Sequence, residues 1–138
     1  MTGEYQHTID TKGRLFIPAN LREELGDTIY VTISIERALA VYSEDAWREK
    51  EEKFNALPSA QARRIRPLFV NAAKCVLDAQ GRILVPQKLR NFAGLKKNVM
   101  VLGVSNHAEI WDQAEWLRVS EIEMDLANLE AAVDELNF

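Results

Sequence analysis

Cysteine is almost missing from this chain. Its single copy, Cys75, excludes an internal disulfide, and the flanking Ala72, Ala73, Val76 and Leu77 mark it as a small core residue. Histidine is nearly as scarce: His7 is expected on a strand and His107 in a hairpin loop, with no paired Cys or His at metal-ligand spacing. That leaves histidine acid–base catalysis and zinc chemistry without support. HExxH, CxxC, GxSxG and the Walker pattern with its Lys-Ser/Thr ending are all absent. Ser43, Ser59, Ser105 and Ser120 read as cap, turn or helix residues. The chain is therefore expected to be no enzyme and to use no metal or cofactor. No run approaches about 18 uninterrupted apolar residues, and MTGEYQHTID carries neither the basic region nor the apolar core of a secretion signal. A cytoplasmic location without membrane insertion is the expectation.

An excess of positive charge is missing too. The net charge is −4, which excludes a surface coated in positive potential but leaves room for a local basic strip. To residue 68 there are ten basic against eleven acidic side chains, and beyond it seven against ten. The first half is the better candidate for a polyanion surface. With 47% hydrophobic and 28% charged residues, the composition is that of a soluble globular protein, ordered except at its ends.

What is present is one message written twice. Residues 10 to 22 read DTKGRLFIPANLR and residues 78 to 90 read DAQGRILVPQKLR, so Asp, Gly, Arg, Pro, Leu and Arg recur 68 positions apart. A second echo sets Ala40, Val41, Tyr42 and Trp47 against Glu109, Ile110, Trp111 and Trp116, now 69 apart. One inserted residue between the echoes would account for the slip. A unit this small cannot bury a self-sufficient core, so residues 1–68 and 69–138 are expected to form two halves that pack on one another.

Each half opens on a strand, residues 4 to 9 and 70 to 77, and enters a tight turn. Asp10 and Asp78 suit bonding to backbone amides ahead of them, while Gly13 and Gly81 suit positive φ. Read as a carboxylate pair for acid–base or metal work, the aspartates have weaker support than as turn residues. Strands Arg14 to Ile17 and Arg82 to Val85 are expected to return as a hairpin in each copy, apolar on both faces and buried on both except near the arginine end. Pro18 and Pro86 suit the first position of a short helix, and Gly26 and Gly94 its end. Strands 29–35, 39–42, 99–104 and 109–111 follow. Helices then start behind Ser43 and Asp112, the latter with Glu115 at capping-box spacing. The first runs to about Leu57, and a second from Ala60 to about Arg66. Trp116, Val119, Ile122, Leu126, Leu129, Val133 and Leu136 predict a continuous terminal helix of roughly 23 residues. Its apolar stripe is expected to pack on its own domain, with a subunit contact as the alternative.

Lys12 and Arg14 project from a basic turn, which by composition alone is usually solvated surface but whose close backbone could also enter a DNA groove. Arginine can fork onto guanine edges there while lysine meets phosphate. HTIDTKGRLFIPANLR, residues 7 to 22, resembles the first signature of the MraZ family of bacterial transcriptional regulators, and DAQGRILVPQKLR the second. Asp10 with Arg14, and Asp78 with Arg82, match that family's DxxxR elements, and the likeness covers nearly the whole chain. The resemblance implies a mixed α/β fold, a mainly β core with peripheral helices, built as a pseudo-twofold double swapped-hairpin β-barrel of AbrB type. It implies sequence-specific regulation of the division and cell-wall gene cluster through short repeats in its promoters, including the protein's own. It further implies double-stranded DNA as partner, a ring-shaped homo-oligomer, commonly an octamer, and a nucleoid-associated place in the cytoplasm. DNA contacts would centre on Arg14 and Arg82 with Lys12 assisting. Gln80 stands where the first turn has Lys12, retaining adenine-reading capacity at lower positive potential. Arg22 and Arg90 are secondary, since arginine at a helix C-terminus also suits the helix dipole. The alternative is a structural or protein-interaction oligomer of the same fold that binds no DNA.

Overall fold

The computed structural model describes residues 1–138. Its elements alternate short strands and helices: β1 (Glu4–Thr8), β2 (Arg14–Phe16), α1 (Ala19–Leu25), β3 (Thr28–Ile33), β4 (Leu39–Ser43), α2 (Glu44–Asn55) and α3 (Ser59–Val70). The second copy continues with β5 (Ala73–Val76), β6 (Arg82–Leu84), α4 (Gln87–Phe92), β7 (Asn98–Val104), β8 (His107–Asp112), α5 (Gln113–Glu123) and α6 (Leu126–Glu135). This is a mixed α/β fold with two sheets and peripheral helices. One sheet has six strands in the order β1-β7-β8-β4-β3-β5, and the other is the two-stranded ribbon β2-β6.

The strands that flank each turn do not pair with each other as expected. β1 pairs with β7 of the second copy, β5 with β3 of the first, and β2 with β6, all antiparallel. Between the flanking strands the main chain bonds only at the turn, where Asp10 N–H donates to Arg14 C=O and Gly13 N–H to Asp10 C=O, with Asp78, Arg82 and Gly81 repeating the pattern. A lone two-stranded hairpin is marginal in water, whereas exchange gives every strand a neighbour and lets both copies fill one core. Leu15, Ile17, Ile83 and Val85 meet Val31, Val41, Val101 and Ile110 in a single cluster.

The slip between the two echoes has two sources rather than one. Ile29 faces Ser43 and Val99 faces Asp112. On that register, the path from Leu25 to Ile29 is two residues shorter than that from Ala93 to Val99. The loop from Ile33 to Leu39 is one residue longer than that from Gly103 to Ala108. The net shift is one.

Pro18 and Pro86 are N-caps, one position before the helix rather than inside it, and their carbonyls accept from the first turn. Ser43 Oγ accepts from Ala46 N–H and Asp112 from Glu115 N–H. The capping box is only half closed, because the Glu115 carboxylate turns to Arg118. α3 runs through to Val70, so the strand expected from residue 70 begins at Ala73. His107 starts β8 instead of lying in the loop, and its Nε2 is 3.0 Å from Glu109. Cys75 is buried as expected, and burial pushes its thiol up to about 11.

The terminal helix breaks. Asp125 accepts from Ala127 and Asn128 N–H and so caps a new helix, α6, instead of continuing α5. Trp116 and Val119 still reach inward to Trp111 and Met100. Ile122, Leu126, Leu129, Val133 and Leu136 remain exposed, so most of the stripe does not pack on its own domain.

Candidate nucleic-acid interface

The β2-β6 ribbon lies at the junction of the copies. Arg14 is opposite Leu84, Leu15 opposite Ile83, and Phe16 opposite Arg82. Side chains alternate across a strand, so Leu15 and Ile83 point into the core while Arg14, Phe16, Arg82 and Leu84 share the other face. Phe16 is 45% and Leu84 59% exposed. The expectation that the strand is buried on both faces except near its arginine end fails beyond that end, because Phe16 and Leu84 stay open to solvent, with only His7 of β1 near the Phe16 ring at 6.5 Å. The strict alternation of residues 14 to 17 was the signal for one wet face, masked by two apolar side chains on it. The Arg82 guanidinium carbon stands 5.8 Å from the Phe16 ring centroid, within cation–π range.

Both DxxxR turns are built alike. Asp10 Oδ1 accepts from Lys12 and Arg14 N–H at 3.0 and 2.9 Å, and Oδ2 from Arg14 Nε at 2.6 Å. Asp78 Oδ1 accepts from Gln80 and Arg82 N–H, both at 2.9 Å, and Oδ2 from Arg82 Nε at 2.9 Å. Each aspartate is thus the organiser of its turn, and the pair does not gather into a carboxylate or metal site. No group of three or more His, Cys, Asp or Glu side chains suits a metal ion. The aspartate engages the guanidinium from its Nε side. The two Nη groups, which form the bidentate fork, make no hydrogen bond within the chain. Arg14 and Arg82 side chains are 40% and 25% exposed, so neither is lost in an internal ion pair.

The Arg14 backbone amide, then its side chain, hold the Asp10 carboxyl down at about 2. Asp78 is lowered for the same reason, led by the Arg82 amide. A depressed carboxylate steadies its turn above the ordinary aspartate range and loses that effect as pH falls toward its folded value. In a carbon-13 pH titration, Asp10 should therefore remain ionised below the ordinary aspartate range. A midpoint near 4 would show that the amide bonds are not kept in solution.

Arg22 and Arg90 stand elsewhere. Arg90 Nε donates to Val85 C=O at 3.0 Å and crowds Gly13, where an added Cβ would lie 2.8 Å from that nitrogen. Arg22 packs the same way on Gly81, with its Nη1 inside the volume a Cβ would take. Both glycines have positive φ, 91° and 78°. Each turn is thus pressed by an arginine from the opposite copy. The clasp is reinforced by Ile17 N–H donating to Gly81 C=O and Val85 N–H to Gly13 C=O. Sequence reading put Arg22 and Arg90 among secondary DNA contacts; their geometry gives them a buttressing role. Lys12 and Gln80 occupy equivalent exposed turn positions.

The family model described as "MraZ protein, putative antitoxin-like" matches residues 1–66 and 68–136. The chain is 44% identical over 137 residues to the "Transcriptional regulator MraZ" of Desulforamulus reducens, covering 97% of this chain and 92% of that protein. It is 50% identical over 117 residues to the protein of the same name from Moorella thermoacetica, covering 83% and 82%. A third relative of that name, from Heliobacterium modesticaldum, is 46% identical over 122 residues, covering 86% and 85%. With a matching model across both repeats and relatives of this identity along most of its length, the chain belongs to the MraZ family.

Proposed function

We propose that this chain is a sequence-specific DNA-binding transcriptional regulator whose β2-β6 ribbon reads the major groove. The observation that carries the reading is the pair Arg14 and Arg82 on one uncovered ribbon face, each oriented by its aspartate through Nε with the Nη fork unengaged. A two-stranded ribbon fits the major groove, an arginine fork fits the O6 and N7 edge of guanine, and an apolar neighbour such as Phe16 or Leu84 fits a thymine methyl. Lys12 supplies a phosphate contact on one turn, while Gln80 offers the other an adenine-reading amide.

Family membership and the names of the relatives support a regulator. The finer reading is a double swapped-hairpin barrel of AbrB type, since β1, β2 and β5 all pair with the opposite copy. It extends to a ring-shaped homo-oligomer, an octamer by family resemblance, acting at short promoter repeats of the division and cell-wall cluster, its own included, in the nucleoid-associated cytoplasm. No helix is long and apolar enough to cross a membrane. A ring reconciles the net charge of −4 with DNA binding, because successive modest basic strips gain by multivalency.

The test is a titration of the purified protein against its own upstream promoter and a scrambled duplex at two salt concentrations. Tighter binding to the promoter at both is expected. Replacing Lys12 by Ala should weaken both duplexes alike and lower the salt slope by about one. Equal weak binding to the two duplexes by the parent chain would favour the second reading, an assembly module that binds no DNA, for which the exposed α6 stripe is the supporting observation.

A further inference from the structure

Two surfaces of this molecule lack a counterpart within it. The first is a groove between α2, α3 and the outer side of β3 and β4, enclosing about 710 Å³. Its floor is apolar: Trp47, Phe54, Leu57, Ile65, Leu68 and Phe69. Trp47 stacks on Tyr30 at 5.3 Å and meets Phe69 at 5.0 Å, so the floor is set by packing. Its polar rim holds Lys50, Lys53 and Arg64 and no acidic residue. None of these cations is in an ion pair; Lys50 Nζ lies 4.6 Å above the Tyr42 ring.

The second surface is α6. Leu126, Leu129, Val133 and Leu136 are spaced by three or four and exposed, from 42% at Val133 to 72% at Leu136, which makes them one face of the helix. Its other residues include Glu130, Asp134 and Glu135, and no Lys or Arg follows Arg118. An acidic helix with an uncovered apolar stripe answers a basic-rimmed apolar groove, in shape and in sign.

We infer that α6 of one copy docks in the α2–α3 groove of a second copy of this chain. The groove belongs to the first repeat and the helix to the second, so the two contact surfaces differ. Such a heterologous contact passes from copy to copy head to tail and closes as a ring if the rotation permits. The inference rests on the ring reading above and supplies its joint. It also assigns the duplicated helices different tasks. α3 folds back, with Thr32 Oγ1 donating to Leu68 C=O, and builds the groove, whereas α6 leaves its own chain.

Sedimentation velocity of the full-length chain tests this. The parent should run as a multimer, and L129D/V133D should fall to the single-copy sedimentation coefficient with an unchanged circular dichroism spectrum, since both positions are exposed in the single copy. A multimeric L129D/V133D overturns the α6 joint and leaves the ring standing. A parent chain that stays a single copy at every concentration overturns the ring reading and the joint together. A second measurement identifies the groove. I65C chains mixed with V133C chains should give a disulfide-linked pair on oxidation, with Cys75 buried and silent. Failure of that pair to form, or preferential closure within one chain carrying both substitutions, overturns docking on a second copy.

Discussion

Replacing Arg14 and Arg82 together by alanine should abolish discrimination between operator and scrambled duplex while leaving the protein folded. A bidentate arginine–guanine contact carries about 1–3 kcal/mol of discrimination, so each arginine should account for roughly 5- to 150-fold in specific affinity. Both side chains lie on the uncovered face of the ribbon, and both ion pairs are partly exposed, so little core packing goes with them. Residual binding should be weak, indifferent to sequence and steeply salt-dependent. The measurement is competition binding, with circular dichroism and a melting curve on the same sample. A variant that melts early would give Arg14 and Arg82 a structural role through their aspartates. One that folds and still prefers the operator would remove the ribbon from recognition altogether. Lysine in place of both arginines should recover the salt-dependent component and not the discrimination, because an ammonium has no fork.

On the inner face of the same ribbon, Leu15→Ala or Ile83→Ala should destabilise the whole chain by about 2–5 kcal/mol, the range for large-to-small changes in a packed core. Both side chains are essentially without solvent exposure and face each other across the ribbon. Domain stabilities are about 5–15 kcal/mol, so either change removes a large share. The loss should appear in denaturant titration as a lower midpoint of one transition, not as the separation of two. Leu15 and Ile83 sit in the same cluster as core residues from both repeats, so neither repeat can loosen alone. Two resolved transitions would contradict that shared core. The double variant should cost less than the sum, since one neighbour can relax into the space left by the other.

Much of this was legible in residue order. The 68-residue echo located both turns, and Asp10, Gly13, Asp78 and Gly81 perform the local tasks their chemistry suggests. The caps Ser43 and Asp112 were equally readable, because capping is decided within four residues. What escaped was partner choice. A strand, a glycine turn and a returning strand have the same local signature whether they pair with each other or with another copy. Nothing in residues 4 to 17 says that β1 must find β7. The break before α6 was hidden by an unbroken three-four spacing, although Asp125 held the signal in its capping chemistry. The buttressing of Gly13 by Arg90 depends on a contact 77 positions away, beyond any local pattern.

The arginine laid over each turn glycine has a consequence for inheritance. A methyl group at Gly81 would compete with the tip of Arg22 for the same volume, whereas one at Gly13 would also meet the Val85 carbonyl oxygen at 2.7 Å. A second mutation that shortens the residue at 22 therefore relieves the clash left by loss of Gly81, while the strain of its positive φ stays. Loss of Gly13 is not relieved by the matching change at 90, because a main-chain oxygen cannot be mutated away. The two copies, identical in motif and alike in positive φ, should differ in their suppressors: the clash at the second turn is relievable from the first repeat, and that at the first turn is not.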